Sequence, residues 1–222
     1  MKKTLFAALI WIAILQGEIR EMAHFNIPLE ETSNPEETLV LCDIDNTLIR
    51  ASQYLGSVQW SEDLKTKLER GGMSEKEVKQ LESVLWQSVQ PHVSVELVDL
   101  ETPGVIKSLQ NKNVRVLGLT ARSPEEADYS ARQLSSLDID LQSPFFKDNQ
   151  SLSLETAALY KNGILFSTPL NKKSEVLLAF LEKNRLLFKR IIFIDDKLHH
   201  VQDVVDAAER RGISCLGIWL NP

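Results

Sequence analysis

The chain has 222 residues, enough for one sizeable domain or one domain carrying an insertion. With 43% hydrophobic and 25% charged residues, no low-complexity tract and no internal repeat, it reads as a globular protein with its own core. The formal net charge of −6 argues against a nucleic-acid partner, which needs a basic face, and admits small anionic substrates only where a metal or local cations neutralise the site.

The N-terminus departs from that average. "MKKTLFAALIWIAILQGE" opens with Lys2 and Lys3, continues as an uncharged apolar run from Leu5 to Leu15, and closes on polar residues. A basic start before a short apolar stretch is the pattern of a secretory signal peptide, and the run falls short of the roughly 20 residues that span a membrane. Residues 1–23 are therefore expected to be a signal peptide or signal anchor, with Gly17 and Ala23 as candidate cleavage points. The expected location is exported, periplasmic or secreted, with membrane contact only through that segment. Cys42 and Cys215 lie in apolar strand-like runs without CxxC spacing and read as buried free thiols, although one disulfide is compatible with export.

Residues 24–37, "HFNIPLEETSNPEE", form a polar lead-in. "TLVLCDID", Thr38 to Asp45, is a near-continuous apolar run that suits a parallel strand covered on both faces, and it ends abruptly in Asp43 and Asp45. From 51 to 98 the spacing turns helical, with Leu64 and Leu68, then Val78, Leu81, Val84 and Leu85. Gly71-Gly72 separates the two helices, and Ser74 with Glu77 forms a capping box at the start of the second. This segment is expected to be a small helical insertion in a core made of residues 24–50 and 99–222.

Further along, Pro103-Gly104 opens a helix, Val114 to Thr120 is a second buried strand, and Pro124 starts a helix over about 125–136. "ALYKNGILFST" predicts a strand pair turned at Asn162-Gly163. An amphipathic helix over 171–184 carries Val176, Leu177, Phe180 and Leu181. "RIIFIDD", Arg190 to Asp196, is a third buried strand ending in acids; a helix stopped by Gly212 and the strand "ISCLGIWL" follow. Strands alternating with helices predict an α/β fold with a parallel sheet and right-handed crossovers.

In such sheets ligands bind beyond the carboxyl ends of the strands. The three buried strands would bring Asp43, Asp45, Thr120, Asp195 and Asp196 to one rim. Clustered carboxylates repel, and a divalent cation relieves the repulsion; an all-oxygen ligand set suits Mg²⁺. Two acids one residue apart can also divide a reaction, one attacking phosphorus while the other moves a proton.

These residues carry a resemblance. "DIDNTL" resembles the DxDxT motif I of the haloacid dehalogenase (HAD) superfamily, "VLGLTAR" its motif II, "NKKSEVLLAFL" the helix of its motif III lysine, and "IIFIDDKLHHVQDV" its acid-ended motif IV, in the right order from residue 38 to about 205. The spacing resembles an exported bacterial branch of that superfamily. The resemblance implies a Rossmann-like core and makes 51–98 a helical C1 cap, short enough to cover the site only in part. It implies Asp43 as nucleophile forming an aspartyl-phosphate and Asp45 as general acid/base, the second acid favouring phosphatase over dehalogenase. It implies Thr120 and Lys173 as phosphate-binding groups, and Asp43, Asp45 through its backbone carbonyl, Asp195 and Asp196 as ligands of Mg²⁺. Lys172 is also available, but Lys173, with Ser174 next and Leu177 four positions on, fits the motif better.

The expected activity is Mg²⁺-dependent hydrolysis of a phosphorylated small molecule, with a binding protein for a phosphorylated ligand or a phosphotransferase as alternatives. Arg122 reads equally as a phosphate contact or a surface charge, His199 and His200 as surface residues at a helix start, and Trp60 and Trp86 as cap–core packing.

Overall fold

The computed structural model of the protein describes residues 17–221, so the apolar run of the expected leader lies outside the described residues. Among the described residues, ten strands and six α-helices follow in chain order. They are β1 (Glu18–Met22), β2 (Thr38–Cys42), β3 (Ile49–Ala51), α1 (Val58–Arg70), α2 (Glu75–Val89), β4 (Val95–Leu97), α3 (Thr102–Asn111) and β5 (Arg115–Thr120). After these come α4 (Ala127–Ser135), β6 (Gln150–Leu152), β7 (Ala158–Lys161), β8 (Ile164–Phe166), α5 (Lys173–Lys183), β9 (Arg190–Asp195), α6 (Leu198–Arg210) and β10 (Ser214–Leu220).

Eight strands form one sheet in the order β1-β10-β9-β2-β5-β8-β7-β6. The pairings from β1 to β8 are parallel; β7 and β6 add an antiparallel edge. The period-2 geometry of a strand sends Leu39 and Leu41 to one face of β2 and Val40 and Cys42 to the other. Both faces are covered, which is why the strand reads as a continuous apolar run. Ile106 and Leu109 of α3 and Leu134 of α4 close one face; Val176, Leu177 and Phe180 of α5 with Val201, Val204 and Val205 of α6 close the other. This mixed α/β architecture is the one expected. Cys42 and Cys215 are buried and free.

The insertion consists of α1 and α2 on a short antiparallel ribbon, β3 paired with β4, where the chain leaves and re-enters the core. Ser57 caps α1 by accepting from the Trp60 amide, and the Ser74–Glu77 capping box starts α2. The Asn162-Gly163 turn between β7 and β8 has both residues at positive φ, 53° and 78°. A side chain at Gly163 would also collide with the Leu141 carbonyl, so only glycine fits.

Two segments were assigned differently by sequence. Glu18–Met22, grouped with the leader, pairs in parallel with β10 from Glu18 opposite Leu216 to Met22 opposite Leu220. Its charges hid it; they suit an edge strand, where they discourage pairing with another chain. The polar lead-in carries Phe25 and Ile27 into the core beneath the sheet.

Candidate active site

Strand β2 delivers the first acids. The Asp43 amide still donates to the Ile194 carbonyl at 2.9 Å, continuing the sheet, and the chain then turns sharply, with the Ile44 carbonyl accepting from Leu48 and Ile49. Asn46 takes a positive φ of 60°, a conformation asparagine tolerates, and this bend aims Asp43 and Asp45 at different neighbours.

Asp43 is buried beside Lys173, whose Nζ donates to Asp43 Oδ1 at 2.5 Å and to Asp195 Oδ2 at 2.6 Å. Lys173 is itself buried at the start of α5, while Lys172 is exposed, with its Nζ 3.9 Å from Asp203. Asp195, at the end of β9, also accepts from the Lys197 amide at 2.8 Å and lies 3.2 Å from His200 Nδ1. Burial works against the Asp195 charge, but Lys173 and His200 outweigh it and hold the carboxyl down at about 2. Asp43 has fewer donors. Burial, with repulsion from Asp195 and Asp45, pushes it up to about 6 despite Lys173.

Asp196 is the least satisfied of the acids. Burial and the charges of Asp43 and Asp195 push it up to about 7, and its Oδ1 is buried without a hydrogen-bond partner. Carboxylate oxygens of Asp43, Asp195 and Asp196 lie within 4.8 Å of one another. Three converging hard oxygen donors, one orphaned, fit a divalent cation such as Mg²⁺. The Asp45 carboxylate is outside this group and is held by Arg122.

Asp45 faces the other way. Arg122 Nε donates to its Oδ2 at 2.9 Å and Nη2 to its Oδ1 at 2.7 Å, a two-pronged ion pair. Thr120 is buried at the end of β5, its Oγ1 accepting from the Arg122 amide at 3.2 Å. A cleft of about 390 Å³ lies between this rim and the helical insertion. The core lines it with Asp43, Asp45, Thr120, Lys173, Asp196 and His200, the insertion with Lys65, Glu82 and Trp86 among others. Trp60 stacks on Trp86 at 6.5 Å between ring centroids, and Trp86 Nε1 donates to Glu126 of the core at 3.0 Å.

Four residues acquire places that sequence did not give them. Thr47 of "DIDNT" is fully buried; its Oγ1 donates to Asp43 over a long 3.5 Å and accepts from the Asp196 amide at 3.1 Å, joining two strands of the site. Its position in the DxDxT pattern was the available signal. His200 is an Asp195 partner at the cleft rather than a surface residue. Arg122 is buried, which removes the surface reading. Glu126 is buried and accepts from Trp86, Tyr129 and the Ser123 amide.

The fold, a largely parallel sheet with acids at one rim and a helical insertion after its first acidic strand, is similar to that of solved haloacid dehalogenase-like proteins. A haloacid dehalogenase-like hydrolase from Streptococcus pneumoniae superposes with a TM-score of 0.51 at 15% identity, covering 82% of this chain and 84% of that one. The chain belongs to the family described as "Protein of unknown function (DUF2608)", whose model matches residues 18–220. A protein of Chlamydia trachomatis named "Putative outer membrane protein" is 26% identical over 180 residues, 81% of this chain and 67% of its own length. One of the same name from Chlamydia muridarum is 25% identical over 179 residues, with the same coverage. No helix among the described residues is long and apolar enough to cross a membrane.

Proposed function

We propose that the protein is a Mg²⁺-dependent phosphomonoester hydrolase working through an aspartyl-phosphate on Asp43. The observation that carries this reading is the convergence of Asp43, Asp45, Thr120, Lys173 and Asp196 on one cleft at the carboxyl edge of a parallel sheet, with Asp195 buried behind them on Lys173.

A carboxylate oxygen of Asp43 attacks phosphorus and the bond to the leaving oxygen breaks, Asp45 giving that oxygen a proton. Water then attacks the phosphorus of the aspartyl-phosphate, Asp45 takes its proton, and the bond to Asp43 breaks to release phosphate. Lys173, 2.5 Å from Asp43, offsets negative charge as the anionic substrate approaches, and the Thr120 hydroxyl hydrogen-bonds the transferring group. Asp43, Asp196, Asp195 and the Asp45 backbone carbonyl would hold Mg²⁺, which supplies charge neutralisation at the phosphoryl oxygens. The cap narrows access and limits water around the reacting atoms. The apolar leader and the outer-membrane naming of the Chlamydia relatives support export, with the enzyme acting in the cell envelope.

Phosphate release from a panel of small phosphomonoesters, with Mg²⁺ or with chelator, tests the reading. Metal-dependent release that disappears in Asp43→Asn is expected. Turnover that survives either chelation or the substitution overturns it.

A further inference from the structure

The Arg122 guanidinium is almost completely buried, yet no step above uses it. Burial opposes its charge, and Asp45 with Glu126 more than restores it. A guanidinium is kept in a protein interior when its donors are met, and here hydrogen bonds meet four of its five N–H groups. Two go to Asp45; the others run from Nη1 to Ser130 Oγ at 2.8 Å and to Gln133 Oε1 at 2.7 Å, both on α4.

The chain of bonds continues beyond α4. Gln133 Nε2 donates to the Gln90 carbonyl at 3.3 Å, and Gln90 Nε2 donates to the Gly56 carbonyl at 2.6 Å. Gln90 lies where the chain leaves α2 and Gly56 just before α1, so this amide staples the two crossings that connect cap to core. Gly56 has a φ of 82°, and a side chain there would strike Val93 on the other crossing, so the two crossings pack closely at that point. Ser130, Gln133 and Gln90 are all buried, so water does not substitute for these partners.

We propose that Arg122 is a positioning residue for Asp45, and that Gln133 and Gln90 link it to the base of the cap, so that cap seating and the orientation of the proton-transferring carboxylate are set together. The kinetic part rests on the hydrolase reading; the link to the cap does not. A planar fork fixes both oxygens of a carboxylate, whereas an ammonium at the same place fixes one and leaves the plane free to turn. Small misplacements of a reacting group cost large factors in rate, and the chain gives cap motion a route to such a misplacement.

Two measurements on the full chain test this, using Arg122→Lys and the milder Gln133→Met. In the free protein, amide hydrogen exchange at Ser57 and Val93, whose N–H groups bond within the two crossings, should quicken in both variants. With the best substrate of the panel, Arg122→Lys should lower kcat at least about tenfold while KM moves by less than about threefold, and Gln133→Met should do the same more weakly. In an Asp45→Asn background, Arg122→Lys should add less than about threefold, because a residue acting through Asp45 has nothing further to lose.

Unchanged exchange at both crossings overturns the link to the cap. A rise in KM that persists with Asp45→Asn overturns the positioning role and makes Arg122 a direct contact of the substrate phosphate. A wild-type protein without turnover overturns the hydrolase reading, and the exchange data still decide the link.

Discussion

Two buried cations pair with the acids that flank Ile44 in sequence, Lys173 with Asp43 and Arg122 with Asp45, and they organise the site in opposite ways. Lys173 is a point charge bridging two acids from neighbouring strands, Asp43 of the β2 end and Asp195 of β9. Both of its partners belong to the core, and Thr47 adds a further tie between those strands. Arg122 is a planar fork on one acid, and its remaining donors lead through α4 to the cap. The difference separates two requirements of the proposed chemistry. A nucleophile has to stay fixed from one step to the next, and rigid parallel strands provide that. A group that gives a proton in one step and takes one in the next gains from a connection to the element that lines the other wall of the cleft.

The sharpest way to break the comparison is to remove Lys173. Lys173→Met leaves two buried carboxylates facing each other, and should cost roughly 3–5 kcal/mol at neutral pH together with most of the turnover. The sign with pH follows from Asp195. Its carboxyl is held at about 2 in the folded protein, so its pairing stabilises the fold above the ordinary carboxylate range and is lost as pH falls towards 2. The gap in urea midpoint between wild type and Lys173→Met should therefore narrow as pH falls from 7 towards 3. A gap independent of pH would contradict the charge account.

The raised acids Asp43 and Asp196 give the metal-free fold an oppositely directed pH signature. Asp196 and Asp43 are held up at about 7 and about 6 in the metal-free fold. Acids raised by folding keep protons that the unfolded chain releases, so stability without metal should fall as pH rises from about 4 to 7 and then level off. Mg²⁺ at about 100 times its Kd adds about 2.7 kcal/mol. Thermal shifts should show a larger Mg²⁺ stabilisation at pH 8 than at pH 5, and Asp196→Asn should flatten that difference. Equal shifts at both pH values would count against the acids as ligands.

The cap side offers the mildest change. Trp86→Phe keeps an aromatic ring on Trp60 but removes the indole donor to Glu126, and should cost about 1 kcal/mol. Glu126 retains Tyr129 and the Ser123 amide, so the core should stay folded. A loss well above that figure, read from chemical denaturation, would mean that the cap is held mainly at Trp86.

Sequence revealed the Lys173 side of the site more fully than the Arg122 side, for a physical reason. Strands covered on both faces write themselves as apolar runs, so β2, β5 and β9 were visible along with the acids and Thr120 at their ends. The cap helices were visible through period and a capping box. What did not show were contacts between distant segments made by ordinary polar residues. Gln90, Gln133 and Ser130 have no distinctive spacing, and Arg122 could be placed equally on a surface. Strand β1 escaped because its charged pattern, "EIREM", matches neither a buried run nor a clean alternation. The three-residue strands β3 and β4 are too short to carry a periodic signal.

The central claim is that Asp43 forms a covalent phosphoryl intermediate, and one measurement addresses it most directly. Enzyme with Mg²⁺ is mixed with the best phosphomonoester of the panel, quenched in acid within the first turnover, and its peptides are weighed. A phosphoryl group on the peptide containing Asp43, absent in Asp43→Asn together with the turnover, is the expected result. Continued phosphate release by Asp43→Asn at a wild-type rate would contradict the account.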